Sequence, residues 1–209
     1  MEINKIALFG DLNQGRRRES FYQCSIYSLA INLQYNCWIR LSEDDLDIIA
    51  HEMVKDGVMD LKVGAYMSDA SKYVISYITK RQKYLWIDKL PEFKQYSNRT
   101  ESDKIRELNK NWFSTVILLK VNNDFVKDSR DWKIERFEDY VNYKWSINHF
   151  TNLSRWIWRG DESVKKYDFI LDSYSHNKAE NSWLYEVDAK EIFEDLLWNN
   201  SRLFKFKED

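Results

Sequence analysis

The sequence predicts an α+β fold, with a helical N-terminal half and an antiparallel β-sheet in the C-terminal half. Apolar residues recur every three or four positions up to about residue 80, which is typical of amphipathic helices. After residue 112 they gather in short runs, which is typical of buried strands. The chain has 209 residues, of which 44% are hydrophobic, so a single domain with a sizeable core is expected.

Three helices are predicted in the first half. The first covers residues 22–35, where the apolar residues form one stripe. The second begins after Ser42, a good N-cap residue, and ends at Gly57. The third covers about 66–80, and the charged stretch 92–111 is expected to be loop and a short polar helix.

The second half contains four apolar runs that predict strands, at residues 113–121, 149–158, 167–172 and 183–187. A Gly-Asp pair at 160–161 predicts that the second and third of these strands form a hairpin. Asp188 begins a closing helix, and residues 122–148 are an insertion between two strands. These elements divide the domain into a helical lobe of about 13–111 and a strand-rich lobe of about 112–209.

Composition argues against several classes of protein. The formal net charge of −2 lacks the basic excess of many nucleic-acid binders, so a nucleic-acid partner is not expected. No apolar run approaches the roughly 18 residues of a membrane span, so no membrane partner is expected. Two cysteines do not form a disulfide framework, which favours a cytoplasmic location. Three scattered histidines lack metal-site spacing, and we expect neither a metal nor a cofactor.

Cys24 lies near the start of the first predicted helix. The positive end of a helix macrodipole favours the thiolate form, which makes this residue a candidate nucleophile. The alternative is a structural role, because cysteine is among the most frequently buried residue types.

A nucleophilic cysteine needs a base, and His149 is the candidate because it begins a predicted strand. Asp172 ends the next predicted strand, and hairpin geometry would bring the two residues together. The aspartate could then hold the imidazole in the correct tautomer. The alternative is a histidine bonded to backbone and an aspartate that forms a turn.

In combination, these residues resemble the papain-like cysteine peptidases, and most of all the branch of bacteriocin-processing, double-glycine leader peptidases. The clearest similarity is CSIYSLAINLQYN at residues 24–36, which is like that branch's catalytic helix. The order of elements is similar over most of 13–198, with further matches at Leu41–Leu46, His149-Phe150, Leu171–Tyr174 and Tyr185–Val187.

The resemblance implies a papain-like fold in which the nucleophile helix packs on the C-terminal sheet. It also implies thiol peptidase activity on a peptide or protein substrate. By resemblance, Cys24 is the nucleophile, His149 the base and Asp172 the residue that orients it. The oxyanion would be bound by the Cys24 backbone N–H and by Gln14, with Gln23 as the other candidate.

The sequence departs from the family pattern beside two of these residues. Ser25 and Ile26 replace a Gly-Pro pair after the nucleophile, and Ser173 replaces a proline after the aspartate. Ser20 and Gln23 also spell a capping box, which would start the helix at residue 21 and place Cys24 inside it. The family pattern instead starts the helix at about residue 23 or 24.

Substrate-binding residues are expected among two groups. Arg17, in a run of three arginines, could bind a peptide carboxylate or be a solvated loop residue. Trp145 and Trp158, with their aromatic neighbours, could line a substrate groove or belong to the core.

The leading hypothesis is therefore a thiol-dependent peptidase that works through a covalent acyl-enzyme. Acyl transfer by the same residues is one alternative. Another is an inactive papain-like fold that serves as a binding or inhibitor module. A nucleic-acid binder that uses the arginines and tryptophans is the weakest hypothesis.

Overall fold

The structure is a computed structural model of the chain and shows a mixed α+β arrangement of helices and antiparallel strands. It describes residues 23–111, 113–122, 124–125, 128, 140, 146–154, 168–171, 184–187 and 200–207. The helices are α1 (Cys24–Cys37), α2 (Glu43–Lys55), α3 (Met67–Lys80) and α4 (Ser102–Lys110). The strands are β1 (Met59–Asp60), β2 (Gly64–Ala65), β3 (Glu92–Ser97), β4 (Thr115–Asn122), β5 (Ser146–Ser154), β6 (Asp168–Leu171), β7 (Leu184–Val187) and β8 (Asn200–Lys205).

The three predicted N-terminal helices are confirmed, with α1 shifted two residues toward the C-terminus. Ser42 caps α2 as predicted and forms a capping box, since its hydroxyl accepts from the Asp45 N–H and its N–H donates to the Asp45 carboxylate. Gly57 follows α2 with a φ of 72°, a conformation that glycine adopts without strain.

Two features of the region 58–111 were not predicted. A short hairpin, β1–β2, follows α2, and β3 occupies the first part of a stretch expected to be loop. The polar helix expected in that stretch is α4. Strand β3 was missed because Phe93 and Tyr96 lie three residues apart, which breaks the two-residue alternation of a half-buried strand.

The main sheet has the strand order β3-β8-β4-β5-β6-β7, and the adjoining strands pair antiparallel. The predicted hairpin partners β5 and β6 are confirmed as neighbours. Strand β8 was not predicted, and it sits inside the sheet, where Leu203 and Phe204 are fully buried. The predicted closing helix after Asp188 falls outside the described residues, as does most of the predicted insertion.

Helix α1 lies on one face of this sheet, against β8, β4 and β5. Helices α2 and α3 cover the other side of α1, and the core forms between these layers. Because the β4–β5 pairing is regular, side chains alternate between the two faces of the sheet. The partners Val116 and Asn152 direct their side chains toward α1, and the partners Ile117 and Thr151 direct theirs away from it. Among the described residues, no helix is both long and apolar enough to cross a bilayer.

A cluster of polar side chains joins α2 to α3. The Tyr77 hydroxyl donates to the Asp45 carboxylate, and the Arg81 guanidinium lies 3.8 Å from the same carboxylate and 4.5 Å from the Tyr77 ring centroid. Burial alone would raise the pKa of Asp45, but hydrogen bonds from Tyr77 and Ser42 and the charge of Arg81 hold it below its ordinary value. The contact places the end of α3 beside the start of α2.

We expect Asp45→Asn to lower the free energy of unfolding by about 1 kcal/mol at neutral pH, because its partners then face a weaker acceptor. A lowered folded-state pKa stabilises the protein above the unfolded-state value of 3.8, and this contribution disappears as the pH falls through the folded-state value. Urea denaturation should therefore show a gap between wild type and variant that narrows as the pH falls below 3.8 and closes once the pH has passed through the folded-state pKa of Asp45. Asp88→Asn, at an exposed site, is the matched control; a gap of equal size in both variants would contradict the assignment.

Candidate functional site

Cys24 is the first residue of α1 and is half-buried. The first amides that bond back to the start of the helix belong to Ile26 and Tyr27, and both donate to the Gln23 carbonyl. The N–H of Cys24 precedes them, in the position where helix amides lack an intrahelical acceptor. The competing capping-box interpretation is wrong, because Gln23 is the N-cap residue rather than part of the first turn.

A buried polar array fixes α1 on the sheet. Asn32 donates from its Nδ2 to the Ser114 carbonyl at 2.8 Å and to the Asn152 Oδ1 at 3.1 Å. Its Oδ1 accepts from the Phe204 N–H at 2.7 Å. One side chain therefore connects the helix to the start of β4 and to both of that strand's neighbours, β5 and β8.

The array continues along the same side of α1. Toward the C-terminus, Asn36 exchanges hydrogen bonds with the backbone of Ser114, as donor at 2.9 Å and as acceptor at 2.8 Å. Toward the N-terminus, the Ser28 hydroxyl donates to the Phe150 carbonyl at 2.6 Å, and the Asn152 Nδ2 donates to the Ser28 carbonyl at 3.0 Å. These contacts set both the position and the direction of α1, which points its N-terminus toward the start of β5.

The sheet continues past the start of α1. On the face toward the helix, Asn152 and Val116 are buried, and Phe150 and Leu118 are half-buried. The next pair on that face, Asn148 and Lys120, is exposed. Ser28 bonds to Phe150, and Cys24 lies one helical turn further along, about 6 Å. Cys24 therefore lies at a corner between the start of α1 and the exposed strip of sheet that carries Lys120 and Asn148.

His149 lies on the other face of β5. It pairs across the sheet with Leu119, is 3% exposed, and its ring centroid is 5.2 Å from that of Phe125. The backbone of β5 thus approaches the start of α1 as predicted, but the imidazole points to the side of the sheet opposite Cys24 because neighbouring strand residues alternate between faces. The structure does not bring these two side chains together.

Gln14, Arg17, Trp145, Trp158 and Asp172 lie outside the described residues. Their roles as oxyanion donor, substrate-binding residues and orienting carboxylate therefore stay predictions.

Two further side chains lie near the corner at Cys24, those of Ser25 and Asn148. Ser25 follows Cys24 and lies on the same side of α1 as Asn32, seven residues on; its hydroxyl is buried and makes no hydrogen bond within the described structure. A buried hydroxyl without a partner costs about 1–3 kcal/mol, so a water molecule or a ligand group is expected to pair with it. Asn148 was missed because an exposed asparagine before a histidine carries no signal in a single sequence.

The second cysteine of α1 belongs to the core. Cys37, at the end of the helix, is 4% exposed, and burial raises the pKa of its thiol to about 12. In the part of the chain that the structure describes, no three histidine, cysteine or carboxylate side chains gather into a possible metal site.

Neither a scan against protein-family models nor a search of the curated proteins gives a match.

Asn32→Ala should lower the free energy of unfolding by about 2–4 kcal/mol, because it leaves the buried Phe204 N–H without its acceptor and removes the Asn32 hydrogen bonds to Asn152 and Ser114. Chemical denaturation followed by circular dichroism measures the loss. Asn111→Ala, at an exposed position after α4, should change stability by no more than about 0.5 kcal/mol. Equal effects of the two substitutions would show that the array does not hold α1 in place.

Proposed function

We propose that the chain is a thiol-dependent amide hydrolase of the cysteine-peptidase type, with Cys24 as its nucleophile and a papain-like arrangement of helix and sheet. The observation that carries the proposal is the start of α1 at Cys24, where a half-buried sulfur and a helix N–H share the corner above the open sheet. Both are needed at one place: the sulfur to attack a carbonyl and the N–H to bind the oxyanion that forms.

The reaction begins with transfer of the Cys24 thiol proton to a base, followed by formation of a bond between the sulfur and the carbonyl carbon. The carbonyl π electrons move to oxygen, which the Cys24 N–H stabilises. Collapse of this intermediate breaks the C–N bond, and the amine leaves with the proton. Water then attacks the thioester and releases the carboxylic acid and the thiol.

The reaction also needs a base near Cys24. The sequence resemblance implies that His149 is this base and that Asp172 orients its ring. For the ring to reach Cys24, β5 must present residue 149 on the face toward α1. A one-residue shift in strand pairing would do this, because it exchanges the two faces of a strand. The observed register presents Asn148 and Phe150 instead.

That register favours a second candidate function, a binding module that keeps the fold without turnover. An imidazole buried against Phe125 serves the core on the far face of the sheet. The corner at Cys24 would then bind a peptide segment without cleaving it.

For either function we propose a cytoplasmic location. Cys24 and Cys37 are both free thiols, and a reducing compartment keeps them in that state.

Alkylation of Cys24 by iodoacetamide, measured against pH by mass spectrometry, tests the proposal. A catalytic thiolate should react rapidly below about pH 7, whereas an ordinary thiol reacts appreciably only near about pH 8.5. Cys37 is an internal reference, because its raised pKa of about 12 keeps the thiol protonated in this range. His149→Ala should slow the reaction at low pH if the imidazole is the base.

His51→Ala is the matched control, because this histidine is exposed on α2. Rapid alkylation that neither substitution changes would keep Cys24 as the nucleophile and eliminate His149 as its base. Slow alkylation that resembles an ordinary thiol would rule out the hydrolase and support the binding module.

A further inference from the structure

The strip of sheet beyond Cys24 carries two hydrogen-bond donors side by side. Lys120 on β4 and Asn148 on β5 are cross-strand partners, so their Cβ atoms are about 5 Å apart on the same face. Both side chains are exposed, while the next pair toward Ser28 is half-buried. Among the described residues on this face of the sheet, they are therefore the first exposed polar side chains beyond the Ser28–Phe150 contact.

The position of this pair follows from the array that holds α1. Ser28 and Phe150 are joined by a hydrogen bond, which fixes one point of contact between helix and strand. From Ser28 to Cys24 the helix advances about 6 Å, and from Phe150 to Asn148 the strand advances about 6.6 Å in the same direction. Asn148 thus lies opposite Cys24 across the corner, with Lys120 one strand away.

The chemistry of the pair matches an anion. The lysine ammonium is a cation with three donors, and the asparagine amide supplies two donors. The neighbouring start of α1 adds the positive end of a helix macrodipole, and no acidic residue lies in the first turn of α1. The buried Ser25 hydroxyl, with which no described group pairs, adds a second polar atom beside Cys24 that a polar ligand group would satisfy.

We propose that Lys120 and Asn148 form a carboxylate-binding subsite beside Cys24, which selects polypeptide substrates with an acidic side chain near the amide that the thiol attacks. This inference deepens the proposed function and rests on it. The carboxylate lies between the ammonium and the side-chain amide, and its charge also interacts favourably with the helix end. The acidic side chain thereby positions the neighbouring carbonyl over the sulfur.

Competing alkylation by iodoacetate and iodoacetamide tests the subsite without a known substrate. The two reagents differ in charge, so the ratio of their rates at Cys24, compared with the ratio at glutathione, measures how strongly the surroundings attract a carboxylate. We expect the ratio for Cys24 to exceed the glutathione ratio about threefold to fivefold at low ionic strength. Salt should reduce the excess, because screening weakens attraction between exposed charges.

Lys120→Met should bring the ratio close to that of glutathione, and Asn148→Ala should lower it in part. Lys72→Met is the matched control, because it removes the same charge from an exposed site on α3 and should leave the ratio unchanged. A ratio that is equal in wild type and Lys120→Met overturns the proposal, and so does a wild-type Cys24 that neither reagent modifies.

The test separates the two proposals. An ordinary pH profile for iodoacetamide would reject the hydrolase, yet a raised iodoacetate ratio would still show that the corner attracts a carboxylate. A reactive thiolate without that raised ratio would retain the hydrolase and reject the subsite.

Discussion

The hydrogen bonds of Asn32 are the constraint on which the rest of the arrangement depends. Amide groups buried between a helix and a sheet are costly unless each donor and acceptor is paired. Asn32 meets this condition through the Ser114 carbonyl, the Asn152 amide and the Phe204 N–H, which belong to three neighbouring parts of the sheet. A hydrophobic contact would allow α1 to slide, whereas this set of directional bonds permits one position.

The position of α1 also determines which part of the β4–β5 surface lies beyond its N-terminus. The hydrogen bond between Ser28 and Phe150 fixes where α1 lies along β5. The helix begins at Cys24, one turn before Ser28, while the β4–β5 surface extends further, and this difference in length creates the corner at Cys24. The same register that exposes Asn148 on this surface directs His149 to the opposite face, against Phe125. One pairing of two strands thus places the proposed anion-binding groups near Cys24 and directs the proposed base away from it.

Sequence patterns predicted the parts of the structure that depend on local chemistry. The capping residue Ser42 and the stop at Gly57 marked α2, and apolar runs marked β4 and the β5–β6 pair. Strands β3 and β8 were missed because their pairing is non-local, and the alternation along β3 is weak. For the site, the start of α1 at Cys24 could be predicted, but the face of His149 could not. A shift of one residue in register reverses that face, and the sequence does not determine the register.

The central claim is that the sulfur of Cys24 takes up an acyl group and releases it to water. The direct measurement is intact-protein mass spectrometry during reaction with p-nitrophenyl acetate, with the modified residue located by peptide mapping. If Cys24 is the nucleophile, it should gain an acetyl group faster than a small thiol does, this group should decay by hydrolysis, and Cys24→Ala should not acquire it. An acetyl group that forms no faster than on glutathione, or that persists without hydrolysis, would contradict it.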